Sequence, residues 1–232
     1  MKHLANMIRW YFLIDYRFYI IHISLVTVAL WSILLQVFMP ANTGRVVGAL
    51  IFLDPAILGF VFIGALVLFE KTNRSLQALV VTPMEPREYL LTHIITLTGI
   101  ALIASLALVV LSQGVVFNYL YFFTSVVLTS AFFILAGFVA VSRFSSVNEY
   151  FIAGAGALMV LNIPLIHYFG LSDNGLFYLF PTQASLILLS GIFEPVSLFD
   201  SIYAVAMLSA WIVLGYYLAK RMFQTHIVLG GR

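Results

Sequence analysis

The chain has 232 residues, of which 63% are hydrophobic and only 9% charged, with a formal net charge of +2. A soluble domain carries roughly a quarter charged residues, so this composition excludes a water-soluble globular domain, and so small a charge gives no footing for nucleic acid. There is no cysteine, which removes disulfides, thiolate metal sites and cysteine nucleophiles. The class that remains is an all-α integral membrane protein in a single unit over residues 1–232.

Residues 2–17 read as an amphipathic helix lying at the inner membrane interface. Leu4, Met7, Ile8, Tyr11 and Phe12 recur at helical spacing, with Lys2, Asn6 and Arg9 on another face. The alternative is that these are the first turns of the first span extended into the cytoplasm. The apolar stretch that follows is too long for a signal-peptide core, and no small-x-small cleavage site follows it.

A helix crossing the hydrocarbon needs about 20 mostly apolar residues, and six stretches qualify. The first runs from about Phe18 to Phe38. The second ends at Phe69 and starts at or before Asp54-Pro55, where aspartate suits a cap with proline at the first helical position; Val46–Leu53 then dips into the membrane ahead of it. The third covers about Leu91–Leu111, the fourth Tyr119–Val141, the fifth Tyr150–Phe169 and the sixth Ile202–Ala219. Lys2, Arg9, Arg17, Lys71, Arg74, Arg87, Arg143, Lys220, Arg221 and Arg232 all fall on one side of this alternation, and only Arg45 on the other. By the positive-inside rule both termini are cytoplasmic, which expects a multi-pass protein of the plasma or inner cell membrane.

The inner segment 70–90 carries Glu70, Lys71, Arg74, Glu85, Arg87 and Glu88. Leu76, Leu79 and Val80 give a short helix one apolar face. Thr82-Pro83-Met84-Glu85 matches a capping box that starts a new helix, with Pro86 as an alternative start one turn later. A helix–break–helix with an apolar stripe suits docking into a groove on a soluble partner; an ordinary solvated turn is the plainer reading. The outer segment 170–200 has no lysine or arginine and remains very apolar, broken at Pro181, Gly191 and Pro195. Its apolar pieces are too short for two further spans, which would also leave Glu194 in hydrocarbon, so a re-entrant or surface-lying helical hairpin is expected.

The chain holds no P-loop, no His-Glu-x-x-His and no Gly-x-Ser-x-Gly. Its five histidines are scattered without a second ligand at helical spacing, so no metal site is expected; His22 and His167 fall near opposite faces of the membrane. Asp54, Glu149, Glu194 and Asp200 all fall near predicted membrane edges, which leaves the spans without the carboxylate that an ion-driven transporter usually needs. Asn162 and Pro164 are placed to kink the fifth span, and Gly154-Ala155-Gly156-Ala157 to allow close helix packing. The machinery for energy conversion is therefore sought in a partner.

Glu70, then Leu76-Gln77-Ala78-Leu79-Val80-Val81-Thr82-Pro83 and Glu88-Tyr89-Leu90, resemble the pattern of ABC-2 type transporter permeases. In that family a glutamate closes the second span, a short coupling helix follows, and a Thr-Pro leads into the third. Ser146-Val147-Asn148-Glu149-Tyr150, Pro181-Thr182-Gln183-Ala184-Ser185 and Arg221-Met222-Phe223-Gln224-Thr225-His226 are similar to the subgroup described as fluoroquinolone export permeases. The chain departs from the family where Asn73 or Arg74 stands in place of glycine and where His93 stands in place of lysine, which bears on the path of the coupling helix.

The resemblance implies a transport subunit and not an enzyme. It would pair with a second permease, identical or homologous, and with ABC ATPase subunits that bind ATP and Mg, while this chain carries no cofactor. Glu70, Leu79, Thr82, Pro83, Arg87 and Glu88 would couple to the ATPase, and Pro181, Thr182, Gln183, Glu194 and Pro195 would shape the outer hairpin. The substrate path would lie between the permeases, lined by spans one, two and five, with apolar walls suited to lipids or amphipathic drugs. The competing expectations are a secondary transporter or channel, which needs titratable groups inside the spans, a membrane enzyme, which needs clustered polar residues at one depth, and a permease for haem or another cytochrome-maturation cargo, which shares the six-span plan.

Overall fold

A computed structural model describes residues 2–38, 44–73 and 86–223. Its elements are α1 (Lys2–Arg17), α2 (Ile20–Phe38), α3 (Gly44–Ala56), a π-helical stretch (Ile57–Phe62) and α4 (Ile63–Thr72). There follow α5 (Pro86–Gln113), α6 (Tyr119–Val141), α7 (Val147–Leu161), α8 (Leu165–Tyr168), a 3-10 turn (Gly175–Leu179), α9 (Pro181–Ser190) and α10 (Leu198–Met222). The chain is all-helical over the described residues. Among the described residues five stretches are long and apolar enough to cross a bilayer: Ile20–Phe38, Gly44–Thr72, Arg87–Gln113, Tyr119–Val141 and Leu198–Met222.

The N-terminal helix spans Lys2–Arg17 and meets α2 at a sharp corner. Tyr19 there takes φ 61, in the left-handed region that few non-glycine residues occupy. Tyr11 and Asp15 of α1 are buried, whereas Trp10, Phe12, Leu13 and Tyr16 are exposed. The apolar repeat is therefore split: one stripe packs on the bundle, and Phe12 belongs with the outward-facing residues.

The second apolar stretch differs from its expected form. Asp54-Pro55 does not open a helix; it lies inside a continuous helical run over Gly44–Thr72. Proline cannot donate a backbone hydrogen bond, and one residue after Ala56 the helix widens into the π-helical stretch Ile57–Phe62, a local irregularity often found at functional positions. At 1.5 Å per residue the 29-residue run is about 43 Å long, so Asp54 sits about 15 Å in from Gly44. It therefore lies within this candidate span and not ahead of its first turn.

This stretch packs on α6 through two close approaches. A Cβ on Gly137 would lie 2.7 Å from the Phe60 carbonyl oxygen and 2.7 Å from Ile63 Cγ2, and one on Gly59 would lie 2.9 Å from Phe133 Cβ. Glycine at both positions is what lets the helices touch at backbone distance. The largest core side chains, among them Phe52, Phe122, Phe133, Phe138, Tyr89 and Tyr150, fill the space around α6.

The fifth stretch is broken where Asn162 and Pro164 are placed to kink it. α7 ends at Leu161, where Asn162 caps it, and Pro164 starts a separate single turn, α8. The Asn162 side-chain amide and backbone N–H both donate to the Leu158 carbonyl, at 2.7 and 2.9 Å. The N–H groups of Ile163, Leu165 and Ile166 donate to carbonyls three residues back, so the chain is kinked past Pro164 and runs on into α8. Of the small residues ahead of this point Gly154 approaches Phe60, while nothing lies within 4 Å of a Cβ on Gly156.

Helices α4 and α6 end, and α5 and α7 begin, at the end of the bundle where α1 lies. We call this the proximal end. Arg45, Asn118, Glu194 and Ser201 gather at the opposite, distal end, where Arg45 pairs with Glu194 at 3.3 Å, the Ile192 carbonyl accepts from Asn118 N–H at 3.1 Å, and the Tyr121 and Ser201 hydroxyls are 2.6 Å apart. The outer segment contributes one α-helix, α9, opened by Pro181 and closed at Gly191. It is buried nearly all round against α3, α6 and α10, which explains why so apolar a sequence occurs between two other helices.

Candidate functional site

Five elements converge at the proximal end. Glu70, two residues before the end of α4, has its carboxylate buried, and Tyr89 in the first turns of α5 donates its hydroxyl to Glu70 Oε2 at 2.7 Å. Tyr11 from α1 stacks edge-on against Tyr89, with ring centroids 6.1 Å apart, and against His93, at 4.5 Å. His93 in turn lies 4.6 Å from Tyr89. Phe223, at the end of α10, and Phe138 of α6 close the group at 5.2 and 5.9 Å from Tyr89. The cluster thus ties the N-terminal helix, the end of the second span, the start of the third and the end of the last.

Its polar balance is incomplete. Both ring nitrogens of His93 are buried without a hydrogen-bond partner, and the buried Asp15 carboxyl has the Thr96 hydroxyl beside it. Burial pushes the Asp15 carboxyl up to about 7; the Thr96 hydroxyl works against that shift, and nearby Glu70 adds to it. Burial and Glu70 likewise raise the Tyr11 phenol. Unsatisfied buried groups cost roughly 1–3 kcal/mol each, so α1 is held here by apolar and aromatic contact against a polar penalty. Among the described residues no group of three or more His, Cys, Asp or Glu side chains is arranged to hold a metal.

Of the residues expected to couple to a partner, Glu70, Arg87 and Glu88 are brought together at this end, the latter two in the first turn of α5. Leu79, Thr82 and Pro83 lie outside the described residues, as does the expected cap at Thr82. Lys71 donates to the Phe144 carbonyl at 3.2 Å, which pins the end of α4 to the turn between α6 and α7. Asp15, Tyr11 and His93 are the members that sequence reasoning missed. Tyr11 was legible as one of a helical stripe, but nothing local marks a lone Asp15 or His93 as meeting Glu70.

The outer-segment residues are split. Pro181 stands at the first turn of α9, Thr182 and Gln183 are buried, and Gln183 Nε2 is 2.9 Å from His167 Nδ1. Glu194 reaches Arg45 instead, and Pro195 is exposed in the turn before α10.

A cleft of about 750 Å³ runs between α6, α7 and α10, with Leu179–Pro181 at its distal end and Arg143 and Phe144 at its proximal end. Ala136, Ala153, Ala157, Trp211 and Leu214 make its walls almost wholly apolar. Its size falls within the ~300–1,000 Å³ usual for pockets that hold small molecules. The near wall is set by Tyr150, whose hydroxyl donates to the Phe60 carbonyl at 2.5 Å and whose ring covers Gly64 so closely that a Cβ there would lie 2.0 Å from it.

Several long apolar helices, an apolar cleft and a polar cluster confined to one end define a multi-pass membrane protein of the permease kind. The chain belongs to the fluoroquinolones export permease protein family, whose model matches residues 2–230. It is 37% identical over 146 residues to two proteins named fluoroquinolones export permease protein, from Mycobacterium tuberculosis strains CDC 1551 / Oshkosh and ATCC 25618 / H37Rv. The match covers 62% of this chain and 62% of the length of each of those relatives.

Proposed function

We infer that this chain is the permease subunit of an ATP-driven exporter that moves a hydrophobic or amphipathic molecule out of the cytoplasm or inner leaflet. In this reading α7 with α8 makes a sixth crossing, α9 is a re-entrant element on the outer side, and the proximal end with both termini faces the cytoplasm. A second permease, identical or homologous, completes the path, and a separate ATPase chain supplies ATP hydrolysis. The family membership and the apolar cleft support export of a hydrophobic substrate.

The observation that carries the coupling is the Tyr89–Glu70 hydrogen bond. It fixes the end of α4 to the start of α5, the two helices that flank residues 74–85 in the sequence. A force applied to that segment by a docked ATPase would move α4 and α5 together, and Tyr11 and Phe223 would carry the movement to α1 and α10.

The test is to purify the tagged chain from its native membranes and ask whether a P-loop ATPase of separate sequence accompanies it. Substitution of Glu70 or Pro83 should leave that complex assembled while separating ATP hydrolysis from transport. A secondary transporter is the second reading, favoured by one observation: Asp54 lies inside a span, where an ion-coupled carrier keeps a carboxylate. ATP dependence of transport separates the two.

A further inference from the structure

Away from the proximal cluster, a cavity of about 100 Å³ lies among α2, α3, the π-helical stretch and α5. Asp54, Ser24, Thr27 and Ser105 line it together with Trp31, and the rest of its wall is apolar, including Leu50, Ile57 and Leu108. Three of those polar groups are orphaned. Asp54 Oδ2, Ser24 Oγ and Ser105 Oγ are all buried without a hydrogen-bond partner, and both serines are at least 95% buried, at 3% and 1% exposed. The lining holds no Lys, Arg or His.

An unpaired carboxylate within the hydrocarbon is costly and is found where it serves a pathway or a ligand. Three orphan oxygens of three helices meeting in one cavity is a stronger feature than a lone acid. Serine hydroxyls and a carboxylate are all acceptors, and an ammonium group is a donor of up to three hydrogen bonds with no acceptor of its own. The volume holds only a small head group, since one water occupies roughly 30 Å³. Trp31 adds an aromatic ring, which favours a cation, and the apolar wall accepts the start of a hydrophobic tail.

We propose that Asp54, Ser24 and Ser105 bind the ammonium group of an amphipathic amine, so that the exported molecules include cationic amphiphiles. This deepens the export reading and rests on it for the direction of movement, but binding itself needs no ATPase.

The test uses the full chain in phosphatidylcholine nanodiscs, with Trp10→Phe and Trp211→Phe leaving Trp31 as the single tryptophan. Energy transfer from Trp31 to dansylcadaverine, a fluorescent primary amine, is compared with transfer to its N-acetyl derivative, which has lost the ammonium. The expected result is saturable binding of the amine at least tenfold tighter than of the amide, with unlabelled amine competing. Asp54→Asn should abolish that preference, and Ser105→Ala should weaken amine binding severalfold while the amide is unaffected. Equal affinity for the two probes, or a preference that persists in Asp54→Asn, would overturn the proposal and leave a water-filled cavity. If Asp54→Asn does not fold, Ser105→Ala alone decides: an unchanged tenfold preference in it counts against the site. An ATPase that co-purifies with a chain showing no amine preference would sink this inference and spare the export reading.

Discussion

Tyr89 donates to Glu70 Oε2 at 2.7 Å across 19 residues of sequence, inside a pocket walled by rings from three other helices. Tyr89→Phe removes the donor and leaves a buried carboxylate with one partner fewer, a loss of about 1–3 kcal/mol. Glu70→Gln keeps an acceptor for Tyr89 and removes the charge, so it should unfold closer to the wild type than Glu70→Ala does. Thermal unfolding in detergent ranks the three; Tyr89→Phe matching the wild type would show that the bond contributes nothing.

Asp15 makes α1 sensitive to pH. Its carboxyl is pushed up to about 7 from an ordinary value of 3.8, so the folded state holds a proton that the unfolded state has released between those values. Stability contributed through this group is therefore highest below about pH 4, falls as pH rises, and levels off above about 7. Tyr11, Glu70, Tyr89 and His93 are the titratable neighbours. Asp15→Asn should flatten the dependence between pH 5 and 8 and stabilise the protein at pH 8, by a few kcal/mol at most. A pH profile of unfolding that is identical in Asp15→Asn would contradict this.

Tyr150 anchors α7. Losing its bond to the Phe60 carbonyl in Tyr150→Phe should cost about 1 kcal/mol. Gly64→Ala places a Cβ 2.0 Å from the Tyr150 ring, so either α7 moves or the ring does, at about 1–3 kcal/mol. Fluorescence of an environment-sensitive label at Ala157, on the cleft face, should change in Gly64→Ala more than in Tyr150→Phe.

The distal ion pair is a contrast. Arg45 and Glu194 are 3.3 Å apart, but both side chains are at least half exposed. Exposed pairs of this kind contribute about 0–1 kcal/mol, so a double-mutant cycle on Arg45→Ala and Glu194→Ala should return a coupling below about 1 kcal/mol.

Much of the fold was legible because membrane helices are written as apolar runs. The fourth stretch agrees with α6 at both ends. The first ends where α2 ends and starts two residues ahead of it, at the Phe18-Tyr19 corner, and α10 extends beyond the last at both ends. The second was open at its start, at or before Asp54-Pro55, because the pair is a strong start signal in isolation; the helix passes through it and begins at Gly44. The fifth is broken where Asn162 and Pro164 are expected to kink it, and its last turn continues as α8. Glu70 was legible through its place at the end of an apolar run. Asp15 and His93 were not, since their meeting depends on how α1 folds back at Tyr19, and a left-handed tyrosine carries no local signature.

In the proposed exporter the spans are driven by ATP hydrolysed on another chain. Uptake of a fluoroquinolone and of dansylcadaverine into inverted native-membrane vesicles tests it most directly. An ATP-driven exporter gives accumulation that requires ATP, persists when a protonophore collapses the proton gradient, and is lost in Glu70→Ala. Accumulation that continues without ATP and vanishes with the protonophore would contradict it and would make Asp54 the centre of an ion-coupled carrier.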